Sequence, residues 1–94
     1  MIAPVLTIEP MAARNIDVVR SIDARCYSSP WGAATWRNEL AEKTRHHVVA
    51  RMDDEVLGHA GLLIMLDEVH VTTVAIHPDH QSRGLGTQLV LHLL

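Results

Sequence analysis

The segment Val74-Ala75-Ile76-His77-Pro78-Asp79-His80-Gln81-Ser82-Arg83-Gly84-Leu85-Gly86-Thr87 restricts the fold of this 94-residue chain more than any other stretch. It reads as an apolar strand, a polar loop, and a glycine-x-glycine that opens an apolar helix. His77-Pro78 ends the strand, because the residue before proline is sterically restricted and proline has no N–H to give to a ladder. From Gly84 to Leu94 the sets Leu85, Leu89, Leu93 and Val90, Leu94 stand four residues apart, on one helical stripe. A strand that feeds a helix start in this way calls for a mixed α/β fold, and it also makes an anion site. The first helical turn leaves backbone N–H groups unpaired, and the helix dipole favours negative charge there. Gly84 and Gly86 let a phosphate approach the backbone, and Arg83 adds a permanent cation. Each hydrogen bond to a charged oxygen contributes about 1.5–3 kcal/mol, so a few converging amides suffice to anchor a pyrophosphate. Two other phosphate motifs are excluded: a dinucleotide fingerprint lacks its third glycine here, and no Gly-Lys-Ser/Thr of a P-loop follows. On the motif alone, a plain loop with a glycine-containing helix start remains the alternative.

The rest of the chain supplies elements for one domain, or part of one. Val5 to Glu9 reads as a strand stopped by Pro10. From Ala12 to Cys26 the positions Ile16, Val19, Ile22 or Asp23, and Cys26 recur at helical spacing, and Tyr27-Ser28-Ser29-Pro30 breaks the pattern. A second helix is expected from Ala33 to Lys43 on Ala33, Trp36 and Leu40, with Glu39 and Lys43 as an i,i+4 pair. His46 to Met52, Val56 to Leu66 and Val69 to Ile76 read as three strands, joined by turns at Asp53-Asp54-Glu55 and Asp67-Glu68. Such short turns make an antiparallel meander. Gly58 and Gly61 predict a bulge or bend in the middle strand. Apolar residues at both parities predict a sheet covered on both faces.

Composition narrows the function classes. A net charge of −3 argues against a general nucleic-acid surface. No run of about 18 apolar residues is present to form a membrane-spanning helix. The first six residues lack the basic start and apolar core of a secretory signal, and the single Cys26 fits a reducing compartment, so a cytoplasmic location is expected. His46 and His47 point to opposite faces of their strand and cannot chelate together, and His77 and His80 have no second pair at ligand spacing; no metal is expected.

Gln81-Ser82-Arg83-Gly84-Leu85-Gly86 resembles the Gln/Arg-x-x-Gly-x-Gly/Ala motif with which the GNAT superfamily of N-acetyltransferases holds acetyl-CoA. Ser29-Pro30-Trp31-Gly32-Ala33-Ala34-Thr35-Trp36-Arg37-Asn38-Glu39-Leu40 and Asp67-Glu68-Val69-His70-Val71-Thr72-Thr73-Val74-Ala75-Ile76 are similar to further segments of its ribosomal-protein alanine N-acetyltransferase branch. Order and spacing agree over nearly the whole chain. The resemblance implies the N-terminal part of an α/β (α+β) GNAT fold: a strand, two helices, an antiparallel three-strand meander, then the cofactor-loop helix. It implies that the backbone of Val74, Ala75 and Ile76 pairs with the pantetheine arm of acetyl-CoA. It also implies that Ser82, Arg83, Gly84, Leu85, Gly86 and Thr87, with Gln81 beside them, cradle the pyrophosphate. Ser82 and Thr87 stand where the branch often has arginine, and Gly32 replaces a capping serine.

The implied reaction is acyl transfer from a thioester to an amine, with a protein N-terminus as the acceptor and acetyl-CoA as the donor. The branch's usual base and acid correspond to positions past Leu94. Other superfamily members carry a base on the fourth strand, where His70 falls here; a structural strand histidine is the alternative. Tyr27 and Trp31 are implied to line the acceptor path, or else Trp31 simply packs inside the helix connection. A complete domain of the family is longer than 94 residues, so the chain reads as a partial domain lacking the C-terminal strands and helix. Without a fifth strand, the edge of Val69–Ile76 is open, and self-association through it is expected. Two other functions stay open: acetylation of a small amine, and a CoA-binding or assembly module without catalysis.

Overall fold

The computed structural model describes residues 6–65, 68–81, 84, 87 and 91. Its elements run β1 (Leu6–Pro10), a 3-10 turn (Ala13–Asn15), α1 (Ile16–Cys26), α2 (Ala33–Ala41), β2 (Arg45–Met52), β3 (Glu55–Met65), β4 (Glu68–Ile76) and a second 3-10 turn (Pro78–His80). The strands form one sheet in the order β1-β2-β3-β4, antiparallel throughout. The expected meander is therefore present, and β1 extends it on the β2 side. Val5, Leu66, Asp67 and most of the helix expected from Gly84 lie outside the described residues; Thr87 and Leu91 are helical.

Several boundaries differ from the sequence reading. β2, β3 and β4 each start one residue early. Pro10 does not stop β1 but pairs with Val48 as its last residue, on an edge strand where its missing N–H is tolerated. Three further differences have local reasons. The helix expected from Ala12 starts at Ile16, because the Asn15 side chain accepts a hydrogen bond from the Ala12 N–H (2.8 Å) and tightens the entry into a 3-10 turn. The second helix ends at Ala41, where Glu42 turns extended, so the expected Glu39–Lys43 pair does not form. Glu39 instead turns inward, onto Arg45 (2.6 Å) and His47 (3.0 Å) of β2. An exposed i,i+4 pair contributes only about 0.3–0.5 kcal/mol, too little to hold Glu39 outside. The β2–β3 turn shortens to Asp53-Asp54, with Asp53 at φ 55, a left-handed conformation that Asp tolerates better than most residues.

Both expected glycine positions sit at register shifts. Between β2 and β3, Ala50 faces Gly58 and Arg51 faces Val56, which leaves Leu57 as the extra residue. Between β3 and β4, Gly61 faces Thr73 and Leu62 faces Val71, which leaves Thr72 as the extra residue on β4. Gly61 also answers a packing demand: a Cβ there would lie 2.5 Å from the His47 ring.

Each face of the sheet carries a buried apolar cluster, as the two-parity pattern predicts. On the helix side, Met11, Ile16, Val19, Trp36 and Val49 pack together, flanked by Ala33, Leu40 and Val56. On the other side, Ala50, Leu57, Ala60 and Ile76 pack with Leu6, Ile8, Val48, Met52 and Val74. β4 is exposed along its first half and buried at its end, where α1 contacts it and Ile76 joins the cluster of the other face. Among the described residues, no helix is long and apolar enough to cross a membrane.

Candidate active site

β4 is the outer strand of the sheet, so half of its backbone groups face away from β3. Ala75 lies opposite His59, and the His77 N–H donates to the Leu57 carbonyl (2.7 Å). Strand alternation then turns the backbone groups of Val74 and Ile76 outward. Their carbonyls do face outward: Val74 O accepts from the Tyr27 hydroxyl (3.0 Å), and Ile76 O accepts from the Cys26 thiol (3.3 Å) and the Gln81 amide (3.0 Å). Of the three residues assigned to the pantetheine arm, Val74 and Ile76 thus present the edge, whereas Ala75 turns toward β3. The end of α1 and the loop after β4 are both tied to this edge.

Cys26 serves here as a neutral donor. Burial raises its thiol pKa, with the nearby Asp23 charge adding to the rise, while Arg25 and the bond to Ile76 act the other way. The sequence marks Cys26 only as the last residue of a helical stripe; its contact with the strand edge is apparent only in three dimensions.

Next to the edge is a cavity of about 350 Å³. α1 contributes Asp23, the interhelix loop contributes Tyr27 to Trp31, α2 contributes Trp36, and the β4 bulge contributes Thr72 and Thr73. Tyr27 and Trp31, the two expected acceptor-side residues, are therefore brought together on one wall. Trp31 is 40% exposed, so it is not packed inside; Trp36 fills the interior at 1% exposure. The two indoles meet edge to face at 5.0 Å.

Two carboxylate–imidazole pairs stand behind this wall. His59 Nε2 donates to Asp23 Oδ1 at 2.6 Å, and both residues are buried. His47 Nε2 meets Glu39 Oε1 at 3.0 Å, and Arg45 donates to the other oxygen of Glu39. Trp36 lies edge to face between the rings, 5.3 Å from His47 and 5.4 Å from His59. Burial holds the His47 pKa below its ordinary value and outweighs the opposing pull of Glu39, whose charge Arg45 already answers. The Trp36 indole N–H and the Nδ1 atoms of His47 and His59 have no partner among the described residues. Sequence reading missed these pairs as site components, although Asp23 in an otherwise apolar stripe was a visible signal.

The remaining expected residues are more scattered. Gly84 has φ +76, a conformation open to glycine, and a Cβ placed there would meet nothing within 4 Å. Thr87 is exposed. Ser82, Arg83, Leu85 and Gly86 lie outside the described residues. His70 is exposed, pairs with Glu68 (2.9 Å) and does not line the cavity. Among the described residues, no group of three or more His, Cys, Asp or Glu is placed to hold a metal ion.

Comparison with known proteins adds to this geometry. A protein of Bacillus subtilis (strain 168), provisionally named a ribosomal protein bS18-alanine N-acetyltransferase, is 32% identical over 80 residues, covering 84% of this chain and 53% of that protein. The crystal structure of the alanine N-acetyltransferase of that ribosomal protein from Escherichia coli superposes with a TM-score of 0.83 at 24% identity, over 95% of this chain and 57% of that one. The PaiA N-acetyltransferase of Thermoplasma acidophilum, solved in complex with coenzyme A, superposes with a TM-score of 0.77 at 16% identity, over 95% of this chain and 69% of that one. At these identities the two structures speak to the fold alone. The chain spans little more than half the length of the first two of these relatives. The acetyltransferase (GNAT) family pattern matches residues 16–94, well over half of the sequence, and the chain belongs to that family.

Proposed function

We propose that this chain forms the donor- and acceptor-facing part of an N-acetyltransferase, which transfers the acetyl group of acetyl-CoA to the α-amino group of a protein N-terminus. The observation that carries this reading is the juxtaposition at Tyr27: one residue lines the cavity and bonds the outward carbonyl of Val74. A groove for an amine then abuts a strand edge suited to an extended amide-bearing arm. The names of the sequence relatives favour a protein N-terminus, alanine first, as the acceptor.

The residues present fit acetyl-CoA. Val74 and Ile76 offer strand-edge groups to pair with the pantetheine amides. A carbonyl oxygen has two lone pairs, so Val74 O can keep Tyr27 and still accept a second donor. Gly84, left-handed and open, suits a backbone cradle, to which the family motif also assigns Ser82, Arg83, Leu85, Gly86 and Thr87, and the Gln81 side chain is held on Ile76. Acetyl-CoA supplies the activated thioester. The acceptor must shed a proton to attack, since an α-amino group has a pKa of about 8. No covalent enzyme intermediate is needed, and the neutral Cys26 thiol is consistent with that.

Calorimetry with CoA tests the donor half. A Gly84→Asp, Gly86→Asp double variant should lose CoA binding, and unchanged affinity would remove the assigned cradle. Turnover assays with an Ala-starting peptide and with a polyamine test the acceptor, and preference for the polyamine would move the function to small amines. His70 is tested as the base by His70→Ala: an unaltered pH–rate profile would remove it from that role.

A further inference from the structure

We propose that Asp23 is the counter-ion that captures the acceptor amine, as its ammonium, in the cavity beneath the α1–α2 loop. This rests on the transferase reading of that cavity and names the chemistry of its acceptor: a primary ammonium carried on a small group. Asp23 occupies a core-facing position of α1 and is only 4% exposed, yet it lines the cavity. A buried carboxylate is costly unless it is paired. One of its oxygens is satisfied by His59, which is completely buried, so water cannot take that place. The other oxygen makes no hydrogen bond to any described residue.

Apart from the imidazole of His59, no basic side chain answers Asp23 among the described residues. Arg25, nearest in sequence, directs its guanidinium to His77 (3.3 Å). The walls suit a cation. Trp31 and Trp36 are aromatic, and an ammonium is drawn to the face of an indole. Thr73 adds a hydroxyl at the bulge. A carboxylate with one oxygen held and one unclaimed, among aromatic walls and hydroxyls, is matched by a ligand that brings one positive charge and several N–H donors. A protein N-terminus beginning with a small residue meets that description within about 350 Å³.

The purely structural alternative is that Asp23 only docks α1 onto β3, a role that neutral asparagine would fill, since its carbonyl can still accept from His59. Tryptophan fluorescence separates the two readings, because the chain's two tryptophans both line the cavity. The probes are alanyl-alanine amide, its N-acetylated form, and lactoyl-alanine amide, in which a hydroxyl replaces the ammonium. With the 94-residue chain, the free amine should give a saturable change, and the two uncharged probes should bind about ten- to a hundredfold more weakly, the loss of one charge-assisted contact. Asp23→Asn should weaken the free amine by a similar factor. Equal affinity for all three probes overturns the proposal, as does a folded Asp23→Asn chain that binds like the parent. The probe series on the unmodified chain decides the matter even if the variant does not fold. CoA calorimetry separates this site from the transferase reading. Amine capture without CoA binding upholds Asp23 and removes the transferase. CoA binding without amine discrimination does the reverse.

Discussion

Replacing Gly61 with alanine should unsettle the core beneath the candidate site. The new Cβ would lie 2.5 Å from both Cε1 and Nδ1 of His47 and 3.1 Å from Thr72 Oγ1. Carbon–carbon contacts are comfortable at about 3.5–4.0 Å, so the imidazole must retreat by roughly 1 Å. It has little room to do so, since Trp36 stands edge-on at 5.3 Å and Glu39 holds Nε2 at 3.0 Å. A retreat along the bond to Glu39 would break it, which costs about 1–3 kcal/mol for a buried pair. Forcing a methyl into a packed core costs a similar amount by other routes. Against this, removing glycine's backbone freedom stabilises by about 0.4–1 kcal/mol. The net expectation is about 1–2 kcal/mol of destabilisation, or a drop in melting temperature of roughly 5–15 °C for a domain of this size. Thermal melts by circular dichroism measure it. A double-mutant cycle with His47→Ala assigns the cause: with the ring gone the methyl has space, so the paired change should cost less than the sum of the two singles. A Gly61→Ala chain that melts with its parent, or a strictly additive cycle, refutes the steric argument.

Three further outcomes follow from named contacts. His47 is held neutral in the fold because burial disfavours its charged form, whereas in the unfolded chain it titrates near 6.5. Below that pH the unfolded chain takes up a proton that the folded chain does not, so this contribution is complete above about pH 6.5 and is lost as pH falls toward the folded value; His47→Gln should flatten that part of the stability–pH curve, and an unchanged slope would place the titration elsewhere. Tyr27→Phe removes the hydroxyl on Val74 O and should cost no more than about 1 kcal/mol, since the bond is partly exposed; hydrogen exchange should nonetheless rise over the loop from Tyr27 to Trp31, and equal protection would show that the loop is held by other means. Val69 and Val71 lie exposed on the outer strand, so sedimentation of this chain should show concentration-dependent association that Val71→Lys suppresses; a monodisperse monomer would count against association through β4.

Periodicity and turn residues carried most of the architecture because they act locally. The stripe Ile16, Val19, Ile22 is read without knowing what packs against it, and the structure buries those residues. Glycines in β3 marked both register shifts, since a bulge needs backbone freedom or close approach wherever it falls. What was not legible depends on pairs distant in sequence. Glu39 looked like half of an exposed helical pair until β2 brought Arg45 and His47 beside it. His59 looked like one more strand histidine until α1 placed Asp23 against it, thirty-six residues away in the chain. Tyr27 was legible as a candidate site residue, but its hydroxyl on the edge of β4 was not, because that contact needs the folded strand.

The same contacts build the fold and the candidate site, which constrains how either can change. Asp23 joins α1 to β3 through His59, and it also forms part of the cavity wall. Thr72 is the residue left over by the β4 bulge, and it too lines the cavity, beside the Gly61 that makes room for His47. Trp36 is at once the largest side chain of the helix-side core and the inner wall of the cavity, braced by both imidazoles. A substitution that relaxes any of these contacts therefore moves the wall as well as the core. Breaking a buried pair by removing one partner costs about 3–5 kcal/mol, because the other group is left uncompensated. A stability of 5–15 kcal/mol for a typical domain leaves little room for such losses. The cavity wall is therefore more readily altered at the exposed residues Tyr27, Ser28, Ser29 and Trp31, whose replacement leaves the two carboxylate–imidazole pairs in place.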